Sequence, residues 1–225
     1  TFDLPTKAGL GSSSAYTVGL LRVCTELPQE TISRLATVWE QDKMGGNVGS
    51  QDQYLCSLGG FHLLEFSEHG IRDTVLAPSM VKPLQDYLML FDTHQYRLAG
   101  NVVAHQLAEM KKHRKLLSGM AEMVNEGFQY LKEADYIRFG ELLGESWLRK
   151  RQLSKYVSTG TIYSIYEKAL KAGASGGKLL GAGGGGFIVF LAEPDKQEAI
   201  KVALSGLTYT PFRFEMEGTT VIYRD

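Results

Sequence analysis

The 225-residue chain lacks any apolar run near the roughly 18 residues that a membrane span requires, so no membrane partner is expected. It also lacks an excess of charge of one sign. Lys plus Arg number 24 and Asp plus Glu 25, a formal net charge of −1 with a pI near 6.5. Nucleic-acid binders are usually clearly basic, so that class is set aside. Cysteine is scarce: Cys24 and Cys56 are the two, without metal-ligand spacing, and read as free buried thiols in a reducing compartment. Thr1–Pro5 shows neither a basic n-region nor an apolar h-region, so a cytoplasmic protein is expected. Hydrophobic residues at 44% and charged residues at 22% exclude a disordered chain.

What the chain has in plenty is glycine. There are 25 in 225 residues, above the usual ~7%, gathered at Gly9–Gly11, at Gly45–Gly49 with Gly59–Gly60, and from Gly173 to Gly186. Helical spacing of Ala15, Val18 and Leu21 predicts a helix over 12–24, with Ser12, Ser13 and Ser14 as N-cap hydroxyls. Further helices are expected over 29–43, 53–57, 99–131, 136–153, 162–172 and 196–204. Expected strands are 61–66 paired with 71–76 through a turn at 68–70, then 87–91, 187–191, 210–215 and 219–223. This order suggests an α+β protein of two layers. Residues 1–5 read as the end of a strand with no earlier partner, which suggests that an N-terminal portion of the native protein precedes them.

Three stretches could carry chemistry. In Leu4-Pro5-Thr6-Lys7-Ala8-Gly9-Leu10-Gly11-Ser12-Ser13-Ser14, a strand, a glycine turn and a helix start converge N–H donors on one point, which makes an anion trap. Ser14 stands where a dinucleotide fingerprint needs glycine, and no Lys follows the turn as a Walker A motif demands. Gly11-Ser12-Ser13-Ser14-Ala15 is a near miss for a nucleophile elbow. A capped helix after a tight turn would also account for the segment.

The second stretch runs from Glu40 to Tyr54 and places Glu40 near a helix end and Asp52 at the start of the next element. One carboxylate on a metal and another facing a hydroxyl would suit phosphoryl transfer. An exposed helix Glu and an N-cap Asp are the plainer alternative. The third is Gly176-Gly177-Lys178-Leu179-Leu180-Gly181-Ala182 followed by Gly183–Gly186. Four successive glycines cost chain entropy, which points to something approaching the backbone closely. His105, Glu109 and His113 share a helical spacing, but their basic neighbours favour a solvated face.

Taken together, these segments resemble the GHMP small-molecule kinases (galacto-, homoserine, mevalonate and phosphomevalonate kinases). Pro5-x-x-x-Gly9-Leu10-Gly11-Ser12-Ser13 is similar to the family's second, phosphate-binding motif, and Leu180–Gly186 to its third. Gly49-x-Gln51-Asp52-Gln53-Tyr54 and Gly59-Gly60-Phe61 look most like the branch of bacterial D-glycero-D-manno-heptose 7-phosphate kinases and related sugar 1-kinases.

The resemblance implies a ribosomal protein S5 domain 2-like N-terminal domain over 1–84 and a ferredoxin-like C-terminal domain over 85–225. It implies ATP and Mg2+ as cofactors, with Gly9, Leu10, Gly11, Ser12, Ser13 and Ser14 around the ATP phosphates and Ser13 and Glu40 on magnesium. Asp52 would face the sugar hydroxyl, Thr93 and Arg97 would meet an anionic substrate group, and Gly183 and Gly184 would border the sugar. The partners are then a sugar phosphate and ATP, with a homodimer left open. The family's first motif has no counterpart here, and Ser50 stands where relatives in this branch often have Lys. Three rivals stay open: another sugar 1-kinase (fucokinase- or galactokinase-like), a non-catalytic sugar- or nucleotide-binding relative, and a serine hydrolase built on Ser13.

Overall fold

The first helix forms where its sequence periodicity puts it. In the computed structural model, which describes residues 9–96 and 99–223 (the side chains of 99–101 excepted), α1 spans Ser12–Cys24. Its Val18 packs with Ile32 and Ala36, and Leu21, Leu27 and Cys56 close over them. The expected serine cap is absent. Gly11 is the N-cap, at φ 70°, and no side chain caps the first turn. The serine hydroxyls go elsewhere because a buried carboxylate outcompetes the local amides for them.

Pro28 ends the connection and opens α2, Gln29–Val38. The sequence predicts one α-helix as far as Lys43, but Trp39–Lys43 form a π-helical turn instead. Its wider hydrogen-bonding, closed by the Met44 N–H on the Trp39 carbonyl at 2.9 Å, turns Glu40 inward while Trp39, Gln41, Asp42 and Lys43 stay exposed. Helix α3, Gln51–Leu58, ends at Gly59. The antiparallel hairpin follows nearly as expected, with β1 at His62–Ser67 and β2 at Gly70–Val75. A short α4, Pro78–Val81, and a 3-10 turn at Lys82–Tyr87 lead onward.

Strand β3, Leu88–Asp92, belongs to a second sheet. Helix α5, Ala99–Glu109, does not continue unbroken to residue 131 as the spacing predicts. A 3-10 turn at Met110–His113 intervenes before α6, Arg114–Lys132. That break takes His113 off the helix of His105 and Glu109. Helix α7 spans Tyr136–Arg151 and α8 spans Gly160–Lys171. A strand the sequence reading missed, β4 at Gly176–Leu179, precedes β5 at Phe187–Leu191. Its two glycines hide the pattern, yet they let α7 lie close: a Cβ on Gly176 would stand 2.0 Å from the Gly140 carbonyl oxygen.

A 3-10 turn at Pro194–Lys196 and α9, Gln197–Ala203, lead to the two-residue β6, Thr208–Tyr209. The strands expected over 210–215 and 219–223 do not form among the described residues. Past Thr210 the backbone bonds the end of α3 rather than a neighbouring strand: the Gly60 N–H donates to the Glu215 carbonyl and the Thr219 N–H to that of Ser57.

The chain divides into two compact units. One holds Gly11–Lys82 with the described residues from Arg213 on; its core is the α1–α2–α3 packing. The other holds Gly9 and Leu10 with Pro83–Phe212. Its sheet runs β4-β5-β3-β6 with every pair antiparallel. One face buries Met89, Phe91, Leu179, Ile188 and Phe190 with Trp147, Ile162 and Ile200 of the helices, and the other collects Leu90, Phe187 and Val189. Among the described residues, no helix is long and apolar enough to cross a membrane.

Candidate active site

In the first unit the π turn, the start of α1 and the start of α3 converge on one carboxylate. Glu40 is 2% exposed. Ser13 Oγ donates to its Oε1 at 2.5 Å, Ser14 Oγ to its Oε2 at 2.7 Å, and Gln53 Nε2 also to Oε2. A buried carboxylate needs such donors, since an unpaired one is costly to desolvate. The plainer expectation of an exposed helix Glu is thereby overturned. Asp52 is exposed on the first turn of α3, with its carboxylate against the Gly11 turn. Burial pushes the Cys56 thiol of the same helix up to about 11, with the charges of Asp52 and then Glu40 adding to the effect.

The donor set suits a small hard cation, which takes oxygen ligands. Ser13 is exposed at the mouth of the cluster, and Glu40 supplies the charge. The Oε1 of Gln53 is a buried acceptor with no partner among the described residues. Above it, the N–H groups of the first turn of α1 have no side-chain cap, so they stay available to an anion. Ser13 gives its hydroxyl proton to a carboxylate rather than to an imidazole, which removes the support for a serine hydrolase. Among the described residues no cluster of three or more His, Cys, Asp and Glu could hold a metal; His105 instead packs edge-on against Tyr156.

The second unit holds the glycine tract, and what approaches its backbone is the protein's own chain. A Cβ on Gly181 would stand 2.6 Å from the Gly9 Cα, and one on Gly183 would stand 2.8 Å from the Val157 carbonyl oxygen. The Gly184 N–H donates to the Val157 carbonyl at 2.8 Å and the Gly186 N–H to that of Gln95 at 2.5 Å. Thr93, 4% exposed, donates its hydroxyl to the Gly186 carbonyl at 2.6 Å. Lys150, in the last turn of α7, donates to the Gly181 carbonyl at 2.5 Å.

Of the residues expected from sequence, Gly11, Ser12, Ser13, Ser14, Glu40 and Asp52 thus lie in the first unit, and Ser13, Ser14 and Glu40 bond directly. Gly9, Leu10, Thr93, Gly183 and Gly184 lie in the second, where Gly9 seats on the Leu180–Gly181 backbone. Arg97 is outside the described residues. The roles of Gln53, Val157 and Lys150 escaped the sequence reading. Only Gln53 left a signal there: it is a polar residue four before Ser57 on the buried face of α3.

Comparison with known proteins places the chain in a family. The model for the GHMP kinases N terminal domain matches residues 1–60, and that for GHMP kinases C terminal matches residues 128–208. A D-glycero-alpha-D-manno-heptose 7-phosphate kinase of Campylobacter jejuni is 30% identical over 90% of this chain and 62% of its own length. A bifunctional fucokinase/GDP-fucose pyrophosphorylase of Arabidopsis thaliana is 29% identical over 85% of this chain and 19% of its own. The crystal structure of a D-glycero-D-manno-heptose 1-phosphate kinase from Bacteroides thetaiotaomicron superposes with a TM-score of 0.75 at 26% identity. That match covers 99% of this chain and 66% of the crystallised one. The chain therefore spans less than two thirds of the length of these relatives. Two models of one family match in order, over residues 1–60 and 128–208: the chain belongs to the GHMP kinases.

Proposed function

We propose that this protein is an ATP- and magnesium-dependent sugar kinase, acting on the anomeric hydroxyl of D-glycero-D-manno-heptose 7-phosphate. The observation that carries the reading is the buried Glu40 carboxylate, held by Ser13 and Ser14 from a helix start that follows a glycine turn. The sugar-phosphate substrate rests on the named heptose kinases among the relatives. Gly9, Leu10, Gly11, Ser12 and Ser14 surround the ATP phosphates, with the uncapped first-turn amides of α1 among the donors, and Ser13 and Glu40 are the residues that would hold magnesium. When bound, that ion neutralises and orients the phosphates. Asp52, exposed beside the Gly11 turn, orients the attacking hydroxyl and accepts its proton at a carboxylate oxygen.

Thr93, Arg97, Gly183 and Gly184 are assigned to the sugar phosphate. The Thr93 hydroxyl proton is spent on Gly186, so toward a ligand Thr93 offers lone pairs, and the donor work falls to Arg97. We assign residues 1–84 to an S5 domain 2-like half and 85–225 to a ferredoxin-like half, although the described residues from Arg213 on pack within the first compact unit. The sheet order β4-β5-β3-β6, built from a strand, helices, two strands, a helix and a strand, supports the second label.

ADP release from ATP·Mg, measured over a panel of phosphorylated heptoses, hexoses and mevalonate, tests the reading. Turnover with the heptose 7-phosphate well above the other acceptors is expected. ADP release that no sugar stimulates would sink it.

A further inference from the structure

Gln53 is wholly buried in α3, next in sequence to Asp52, and the roles assigned above leave it unused. Its Nε2 donates to Glu40 Oε2, the oxygen that also accepts from Ser14. That bond decides which way the amide faces, because an amide oxygen turned onto a carboxylate would repel it. The same bond therefore commits Oε1 to a position where it finds no donor among the described residues. The hydroxyls that could have served it are turned away: both Ser13 and Ser14 donate to Glu40.

A buried acceptor left unpaired is destabilising, whereas an apolar side chain of the same length would avoid that loss. A bound ligand can bring the donor that Oε1 lacks. A hydrated divalent cation fits, since magnesium dehydrates reluctantly and keeps several waters when it meets one carboxylate and the phosphates of a nucleotide. Residues behind a ligand commonly fix its orientation by such bonds.

We propose that Gln53 is a positioning residue for the cation site. Its Nε2 fixes the Glu40 carboxylate, and its Oε1 accepts a hydrogen bond from a water that the cation carries in. The inference rests on the reading of Glu40 as the magnesium carboxylate.

Two measurements on the full chain test it, with Mn2+ and a non-hydrolysable ATP analogue as probes. In the first, free Mn2+ is counted by electron paramagnetic resonance. Gln53→Met, which keeps the length but removes donor and acceptor, should weaken Mn2+ binding ~10–100-fold while metal-free nucleotide binding is unchanged. In the second, the side-chain 15N amide signal of Gln53 in the wild-type chain should broaden when Mn2+ and the analogue bind, and stay sharp with Mg2+. This second measurement needs no variant and decides the matter if Gln53→Met does not fold. Unaltered Mn2+ affinity in a folded Gln53→Met chain overturns the inference alone, whereas a Gln53 signal indifferent to bound Mn2+ takes the ion off Glu40 and overturns the inference together with the magnesium reading. A wild-type chain that binds no Mn2+ with the analogue overturns the inference together with the magnesium reading beneath it.

Discussion

The Asp52 side chain lies beside Gly11, where a Cβ would meet its Cβ and its Oδ2 in van der Waals contact at 3.5 Å. Gly11 holds φ 70° there, as the N-cap of α1, a conformation glycine adopts without steric cost. One turn therefore does two things: it opens the amides of α1 toward an anion and leaves room for the carboxylate of α3 beside them. The candidate base and the candidate phosphate cradle are positioned by the same residue.

Asp52→Asn should lower kcat by about 10²–10⁴-fold, the usual worth of general-base help, with little change in the KM for ATP. Asparagine preserves size and one acceptor oxygen but cannot take the proton. Steady-state kinetics decide it, and a variant whose main defect is ATP affinity would remove Asp52 from the base role.

Glu40→Gln removes the buried charge but keeps the shape that Ser13 and Ser14 pack against. The Mg2+ concentration for half-maximal rate should rise by at least the ~10-fold that losing even an outer-shell partner costs. Nucleotide binding without metal should change far less. Titration of activity against Mg2+ provides the check, and an unaltered metal requirement would contradict the assignment.

Gly181→Ala should destabilise the second unit by about 2–4 kcal/mol, combining the left-handed backbone penalty with overpacking. Gly181 sits at φ 64°, and the added methyl would stand 2.6 Å from the Gly9 Cα, which is backbone and cannot swing aside. Gly206→Ala, with nothing within 4 Å of the new carbon, is the matched control. Denaturant midpoints of the two variants should differ clearly, and equal midpoints would refute the close-packing account.

Cys24 is exposed and should alkylate quickly, whereas Cys56 should resist iodoacetamide at pH 8 because its thiol is raised to about 11. A thiol raised in the folded chain above its ordinary value of 9.0 contributes stability that is full below pH 9 and is lost as pH rises through about 11. Mass spectrometry of partly alkylated protein gives the order of reaction; Cys56 reacting first would overturn the burial argument.

Much of this was legible in the residues alone, and the part that was had local causes. The apolar spacing of Ala15, Val18 and Leu21 specified a helix over 12–24, and α1 has those bounds. The alternation around Glu68-His69-Gly70 specified the hairpin. The ordered glycine motifs specified the family. The helix and hairpin signals are carried by neighbours within a turn or two of the chain, and the family signal by the order of motifs that are each as short.

Tertiary structure decided where groups with several available partners went. Ser13 and Ser14 could have capped their own helix, and the choice fell to Glu40, which lies 27 and 26 residues away and is turned inward by a π turn that no periodicity marks. The glycine tract announced a close approach without naming what approaches. Gly9, Val157 and Gln95 proved to be the answer, because backbone contact across such separations depends on how the sheet of the second unit is assembled. The chain after Thr210 has the residues of a strand but took its hydrogen bonds from Ser57 and Gly60. An extended segment becomes a strand only where a sheet edge stands beside it, and that is a property of the assembled fold rather than of the segment.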